Sequence, residues 1–88
     1  MKVEVLAKFY KDIDKIRNKK LLNEIDETIL LFQKAVSLKE LVNIKHLTGY
    51  KNYYRIKMGD YRLGFSYDTD TVYLTRFMHR KDIYKVFP

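Results

Sequence analysis

The chain has 88 residues, no Cys and a single Pro, with 18 Lys plus Arg set against 11 Asp plus Glu. That length allows one small domain with no separate substrate domain, and the missing thiol excludes disulfides, thiolate catalysis and Cys-based zinc or iron–sulfur sites. A net charge of +7 with 47% hydrophobic residues excludes a disordered polymer and directs attention to a polyanionic partner: nucleic acid first, an acidic protein second and an anionic membrane surface third.

Taken in chain order, Met1 to about Lys8 predicts a strand, because Val3 and Val5 alternate with Lys2 and Glu4. The acidic residues that follow position 3, with the short apolar runs, argue against a signal peptide or membrane span, so no membrane partner and a cytoplasmic location are expected. From Phe9 the period becomes helical, with Phe9, Ile13 and Ile16 on one stripe, until Arg17-Asn18-Lys19-Lys20 interrupts it. Leu22, Ile25, Ile29, Phe32 and Val36 then predict a second, stronger helix, which makes the pair an antiparallel hairpin. Ser37 and Glu40 have capping-box spacing, so one helical turn is expected inside a packed connection over 37–50 that ends at Gly49. Asn52 to Met58, Tyr61 to Tyr67 and Thr71 to Met78 read as three strands, separated by turns at Gly59-Asp60 and Asp68-Thr69-Asp70. The expected fold is α+β over one domain, residues 1–88: an N-terminal strand and a two-helix antiparallel hairpin packed on a small antiparallel sheet with a C-terminal three-stranded meander.

Strand alternation separates two faces. Tyr54, Ile56 and Met58 oppose Tyr53, Arg55 and Lys57, and Tyr61, Leu63, Phe65 and Tyr67 oppose Arg62, Gly64 and Ser66. From Lys51 onward eight cations meet four acids, and strands fix the direction of Arg55, Lys57 and Arg62 better than loops would. Such a face is either an ordinary solvated surface or a phosphate-binding concavity, in which Arg supplies a planar fork and Lys a point charge. Eight Tyr among 13 aromatic residues cannot all be core; Tyr53 and Tyr84 are candidates for stacking on bases, against the commoner role of packing. His79 beside Arg80 is a candidate for proton transfer. His46 and His79 have no metal-ligand spacing, so no metal and no cofactor are expected. No glycine-rich phosphate loop, nucleophile elbow or carboxylate pair beside a His occurs, which removes nucleoside triphosphate hydrolysis, acyl transfer and glycosidase chemistry.

Phe9-Tyr10-Lys11-Asp12, Leu47-Thr48-Gly49, Tyr54-Arg55-Ile56-Lys57, Met58-Gly59-Asp60-Tyr61-Arg62-Leu63 and His79-Arg80-Lys81-Asp82-Ile83-Tyr84 together resemble the RelE/ParE superfamily of bacterial and archaeal toxin–antitoxin toxins, and within it the RelE branch. The resemblance runs over essentially the whole chain. It implies ribosome-dependent cleavage of messenger RNA in the decoding site, without a metal, and inhibition by a small cognate antitoxin that wraps the toxin. The family's basic residues fall on Arg55, Lys57, Arg62 and Arg80, with its C-terminal aromatic on Tyr84. Arg55 stands where the best-known members have Lys, and the Arg80 to Tyr84 interval is shorter than in some members.

Under that resemblance Lys57 is the general base or electrostatic activator of the 2′-hydroxyl, and Arg62 holds the scissile phosphate. Arg80 stabilises developing charge or protonates the leaving oxygen, with His79 as the other proton donor. Arg55, Lys51, Lys81 and Tyr84 are assigned to RNA binding. Two alternatives stand beside this reading: a ParE-like inhibitor of DNA gyrase, and a noncatalytic relative that binds nucleic acid or protein.

Overall fold

A computed structural model describes residues Met1–Pro88. The elements are β1 (Lys2–Val5), α1 (Ala7–Ile13), α2 (Lys19–Lys34), a 3₁₀ turn (Leu38–Glu40), β2 (Ile44–His46), β3 (Tyr53–Met58), β4 (Tyr61–Asp68), β5 (Thr71–His79) and a last 3₁₀ turn (Ile83–Lys85). The strands form one sheet in the order β1-β5-β4-β3-β2. The expected meander is β3–β4–β5, and the α+β layering is as expected.

Two features of the sheet depart from expectation. β1 lies parallel to β5, with Val3 opposite Val72 and Val5 opposite Leu74, so the sheet is mixed rather than antiparallel. Parallel neighbours need a long connection, and here the two helices and three strands supply it. β2 falls inside the stretch expected to be irregular. It is three residues long and exposed at Lys45 and His46, too short to show alternation, and is held as an edge by pairing with β3.

The helices also differ in their limits. α1 stops at Ile13, and Ile16 packs on the core from the link that follows. Asn18, within the stretch read as an interruption, is the N-cap of α2, its Oδ1 accepting from the Leu21 N–H at 3.2 Å. α2 ends at Lys34 because Ala35 is extended. Val36, expected on the buried stripe, is therefore outside the helix and 84% exposed. The Met1 ammonium donates to the carbonyls of Phe32, Gln33 and Ala35 at 3.1, 3.2 and 3.0 Å, which ties β1 to the C-terminal end of α2. The Ser37–Glu40 capping box forms as expected, around a 3₁₀ turn.

Phe9, Ile25 and Phe32 from the helices meet Ile56, Met58, Leu63, Phe65, Val72, Leu74 and Phe77 from the sheet. The Phe32 ring meets Phe65 edge-on at 5.0 Å. On β5 the buried residues are Val72, Leu74 and Phe77, a spacing that simple alternation does not give. The cause is a bulge: Phe65 pairs with Leu74 and Gly64 with Arg76, so Thr75 has no partner and the residues after it change face. The opposite sheet face is covered at its centre by the C-terminal segment, where the Phe87 ring lies over Gly64 and edge-on to Tyr53 at 5.6 Å. A Cβ on Gly64 would stand 2.7 Å from that ring, so the glycine is required by close approach.

Candidate active site

The face away from the helices carries the cations that strand alternation placed there. Lys57 is the cross-strand partner of Arg62, and Arg62 is that of Met78; one row further, Lys45, Arg55, Gly64 and Arg76 lie opposite one another in sequence across β2 to β5. Directly opposed residues in an antiparallel pair have Cβ atoms about 5 Å apart, and like charges there destabilise the sheet. Lys57 opposite Arg62 and Lys45 opposite Arg55 are two such pairs. A surface that gathers like charges against its own stability is suited to an anion that neutralises them.

The Gly59-Asp60 turn organises this end of the sheet. Gly59 has a φ of 59°, a left-handed conformation that glycine adopts without a steric penalty. Arg62 Nη1 donates to the carbonyls of Gly59 and Tyr61 at 2.8 and 2.9 Å, which holds the guanidinium beside the turn and leaves its other nitrogens free. The Arg80 N–H donates to the Asp60 carbonyl at 2.8 Å, bringing the start of the C-terminal segment to the same turn. Its side chain pairs loosely with Asp60, Nε to Oδ1 at 3.7 Å. Lys57 and Arg62 thus oppose each other across β3 and β4, and Arg80 is tied by its N–H to the turn that joins them; Lys57 is exposed and free of ion pairs, and borders a cleft that also holds Glu24 and Glu27 of α2. Arg55 is half-buried, and its Nη1 makes a long contact of 3.4 Å to the Asn43 carbonyl.

Other sequence-derived candidates lie apart from this cluster. His79 pairs with Tyr61, and its ring meets that Tyr edge-on at 5.6 Å, which puts it on the helix side of the sheet, opposite to the face of Arg62. Its Nδ1 accepts from the Lys81 N–H at 3.1 Å, so the neutral ring carries its proton on Nε2. The bulge is the reason: without it, His79 would share a face with Arg62. Lys51 precedes β3, at the end of the strand remote from the turn, where its carbonyl meets the His46 ring. Lys81 and Tyr84 are exposed, Tyr84 on the last 3₁₀ turn.

Three further residues matter at this face and were not among the candidates the sequence assigned to the site. Lys45 joins it through β2. Phe87 covers its centre. Arg76 emerges beside Gly64 but is turned over the sheet edge to Asp12, its Nε and Nη2 donating to the carboxylate at 2.8 and 3.1 Å. That hydrogen bond first, and the Asp12 charge with it, raise the Arg76 pKa against the opposing effect of burial. Asp12 falls three residues after Phe9, on the helix stripe facing the sheet, and a carboxylate on a buried stripe is the sequence signal for such a pair.

The fold that carries this face is shared with known proteins. The family model described as the ParE toxin of type II toxin–antitoxin system, parDE, matches residues 3–84. Toxin RelE3 of Methanocaldococcus jannaschii is 39% identical over 89 residues, covering 100% of both chains. Among solved structures, the RelB–RelE antitoxin–toxin complex from Methanococcus jannaschii superposes with a TM-score of 0.84 at 35% identity, covering 97% of this chain and 99% of that one. A chain of the E. coli DinJ–YafQ toxin–antitoxin complex shares the fold, with a TM-score of 0.76 at 15% identity over 93% and 94% of the two chains. Family match, full-length identity and sheet topology agree: the chain belongs to the RelE/ParE superfamily of type II toxin–antitoxin toxins, on its RelE-like branch.

Proposed function

We propose that residues 1–88 act as a single toxin domain that cleaves messenger RNA in the ribosomal decoding site, by attack of a 2′-oxygen on the adjacent phosphate, and that a small RelB-like antitoxin holds it inactive. The observation that carries this reading is the opposition of Lys57 and Arg62 across β3 and β4, with Arg80 brought to the turn that joins them. Cleavage needs a deprotonated, aligned 2′-oxygen, neutralisation of the phosphorane and protonation of the leaving 5′-oxygen. In this reading Lys57 activates the 2′-hydroxyl. Arg62, whose remaining guanidinium nitrogens are free beside a fixed turn, binds the phosphate bidentately. Arg80 stabilises charge on the leaving side, and Arg55 with Lys45 seats the neighbouring backbone.

Alignment is a large part of the barrier, so a site made of cations on an open sheet depends on an external template to bend its substrate; the ribosome is that template in this reading. His79, across the sheet from the cluster, acts as proton donor only through movement of the β5 end, which leaves Arg80 as the first candidate. The gyrase alternative goes with the ParE side of the superfamily, which the matching family model names, whereas the full-length relatives carry RelE names, the branch whose resemblance implies RNA cleavage.

The test is primer-extension mapping of a defined message in reconstituted translation, with and without ribosomes. New ends that require ribosomes and vanish in Lys57→Ala/Arg62→Ala support the reading. Intact message with folded protein, together with gyrase-dependent DNA breaks, overturns it.

A further inference from the structure

The cations of the site do not stop at the sheet. Between α1 and the first turn of α2, Lys15, Arg17, Lys19 and Lys20 place four cations in six residues with no acid among them. All four are exposed, and none enters any of the chain's three ion pairs. Arg17 is engaged only through Nη1, which donates to the Asp14 carbonyl at 2.7 Å. Lys19 and Lys20 occupy the first turn of α2, where the helix dipole disfavours positive charge. The link therefore repeats the pattern of the sheet face, like charges gathered at an energetic disadvantage.

Two clefts run from this link to the Gly59-Asp60 turn and to the end of β5. One of about 250 Å³ sets Asn18 and Lys20 against Gly59, Asp60 and Tyr61. The other, of about 180 Å³, sets Lys15 beside Tyr61, His79 and Asp82. Tyr61 lines both, on the face of β4 opposite to Arg62, so the clefts lie around the sheet end from the site. A path from Lys57 and Arg62 therefore turns around the end of the sheet at Gly59-Asp60, passes Arg80 and reaches Lys20 and Lys15. Four carboxylates border it, Asp60, Glu24, Asp12 and Asp82, and all but Glu24 are paired, Asp60 with Arg80, Asp12 with Arg76 and Asp82 with Lys85.

We propose that the α1–α2 link is the second half of an RNA track: a message strand whose scissile phosphate sits at Lys57 and Arg62 continues around the turn and lays its next phosphates on Lys20, Lys19, Arg17 and Lys15. This rests on the endoribonuclease reading above. The partner is single-stranded because the cations follow one another around an edge, a bend that a flexible strand takes freely and a stiff duplex resists. The link supplies affinity and direction of threading and takes no part in the chemistry.

The test uses 2′-O-methyl RNA, which cannot be cut by 2′-oxygen attack: a short oligomer that covers the site alone, and versions extended at either end. Binding is measured against salt for the intact protein, for Lys57→Gln/Arg62→Gln, and for the link variant Lys15→Gln/Arg17→Gln/Lys19→Gln/Lys20→Gln. Extension at one end strengthens binding to the intact protein. The link variant loses that gain, and its salt slope falls by about 2 to 3, each phosphate contact on a single strand contributing about 0.7; its affinity for the short oligomer is unchanged. Lys20→Gln alone shows the same effect at about a quarter of the size and guards against a folding defect in the multiple variant.

Equal loss on short and extended RNA, or no loss on either, overturns the proposal. So does a link variant that binds extended RNA normally but loses affinity for empty ribosomes, since ribosomal RNA would then be what the link contacts. If the intact protein binds the short oligomer no better than Lys57→Gln/Arg62→Gln does, the endoribonuclease reading itself fails, and the link track with it.

Discussion

Asp12 and Arg76, 64 residues apart in the chain, form a two-pronged ion pair at the point where β5 loses its neighbour. β1 pairs with β5 only as far as Leu74, and beyond it the Phe77 N–H on the free edge finds the Asp12 Oδ2 at 2.9 Å. One carboxylate therefore neutralises Arg76 and completes the backbone of the bulged strand, with 5% and 16% of the Asp and Arg side chains exposed.

Breaking this pair should be among the most damaging single changes in the molecule. Asp12→Ala is expected to lower stability by about 2 to 4 kcal/mol in urea unfolding, because it leaves a partly buried guanidinium and the buried Phe77 N–H without their acceptor. Asp12→Leu/Arg76→Met removes both charges and should recover part of the loss, remaining about 1 to 3 kcal/mol below the parent through the unpaired Phe77 N–H. A loss under about 1 kcal/mol for Asp12→Ala would show that the pair does not hold β5. The pH sign follows from Arg76, whose pKa is raised in the folded state by the Asp12 hydrogen bond. Its contribution is fully present below the ordinary arginine value and is lost only as pH rises through the higher folded one, so alkaline titration short of that range leaves this contribution intact.

The glycine under the C-terminal segment gives a second expectation. Gly64→Ala puts a methyl group within 2.7 to 2.9 Å of three Phe87 ring carbons, so the ring must leave the sheet. The expected cost is about 1 to 3 kcal/mol, with faster amide hydrogen exchange over 83–87. In a Phe87→Ala background the same Gly64→Ala change should cost far less, and equal costs in the two backgrounds would mean that the ring is not what the new methyl meets.

Much of this arrangement was legible in the sequence, and the failures share a cause. Alternation along Tyr53–Met58 and Tyr61–Asp68 placed Arg55, Lys57 and Arg62 on one face correctly, because β3 and β4 pair without a break. It could not place His79, because a bulge at Thr75 changes the faces of β5, and the residues around Thr75 do not announce it. Lys45 was hidden by the brevity of β2, whose pairing is set by β3 rather than by its own pattern. Val36 fitted the helical period, but Ala35 turns extended before it. Phe87 gave no local signal, since its place depends on the absence of a side chain at Gly64.

Asp60 sits on the turn that joins the two strands of the proposed phosphate site, and its exposed 3.7 Å pairing with Arg80 competes with RNA for that cation. Asp60→Asn should leave thermal stability unchanged and tighten binding of 2′-O-methyl RNA at low salt by roughly two- to fivefold, the scale of an exposed ion pair. The gain should disappear at high salt. Weaker binding, or a gain insensitive to salt, would show that Asp60 positions Arg80 rather than competing for it.

Arg62 is expected to be intolerant of the change to Lys, since an ammonium cannot hold the Gly59 and Tyr61 carbonyls and bind two phosphate oxygens together. Arg62→Lys should lower ribosome-dependent cleavage by about tenfold or more, an interaction of about 1.4 kcal/mol or larger in the transition state. Activity within twofold of the parent would remove bidentate phosphate binding from the account.

Cutting by this basic sheet face is proposed to go through the substrate's own 2′-oxygen, and the chemistry of the new ends tests that most directly. Message cleaved on the ribosome should carry a 2′,3′-cyclic phosphate or its opened form on one fragment and a 5′-hydroxyl on the other. A message with 2′-deoxy sugar at the mapped position should remain whole. A 5′-phosphate beside a 3′-hydroxyl, or cleavage of the 2′-deoxy message at the same position, would contradict the assignment of Lys57 and Arg62.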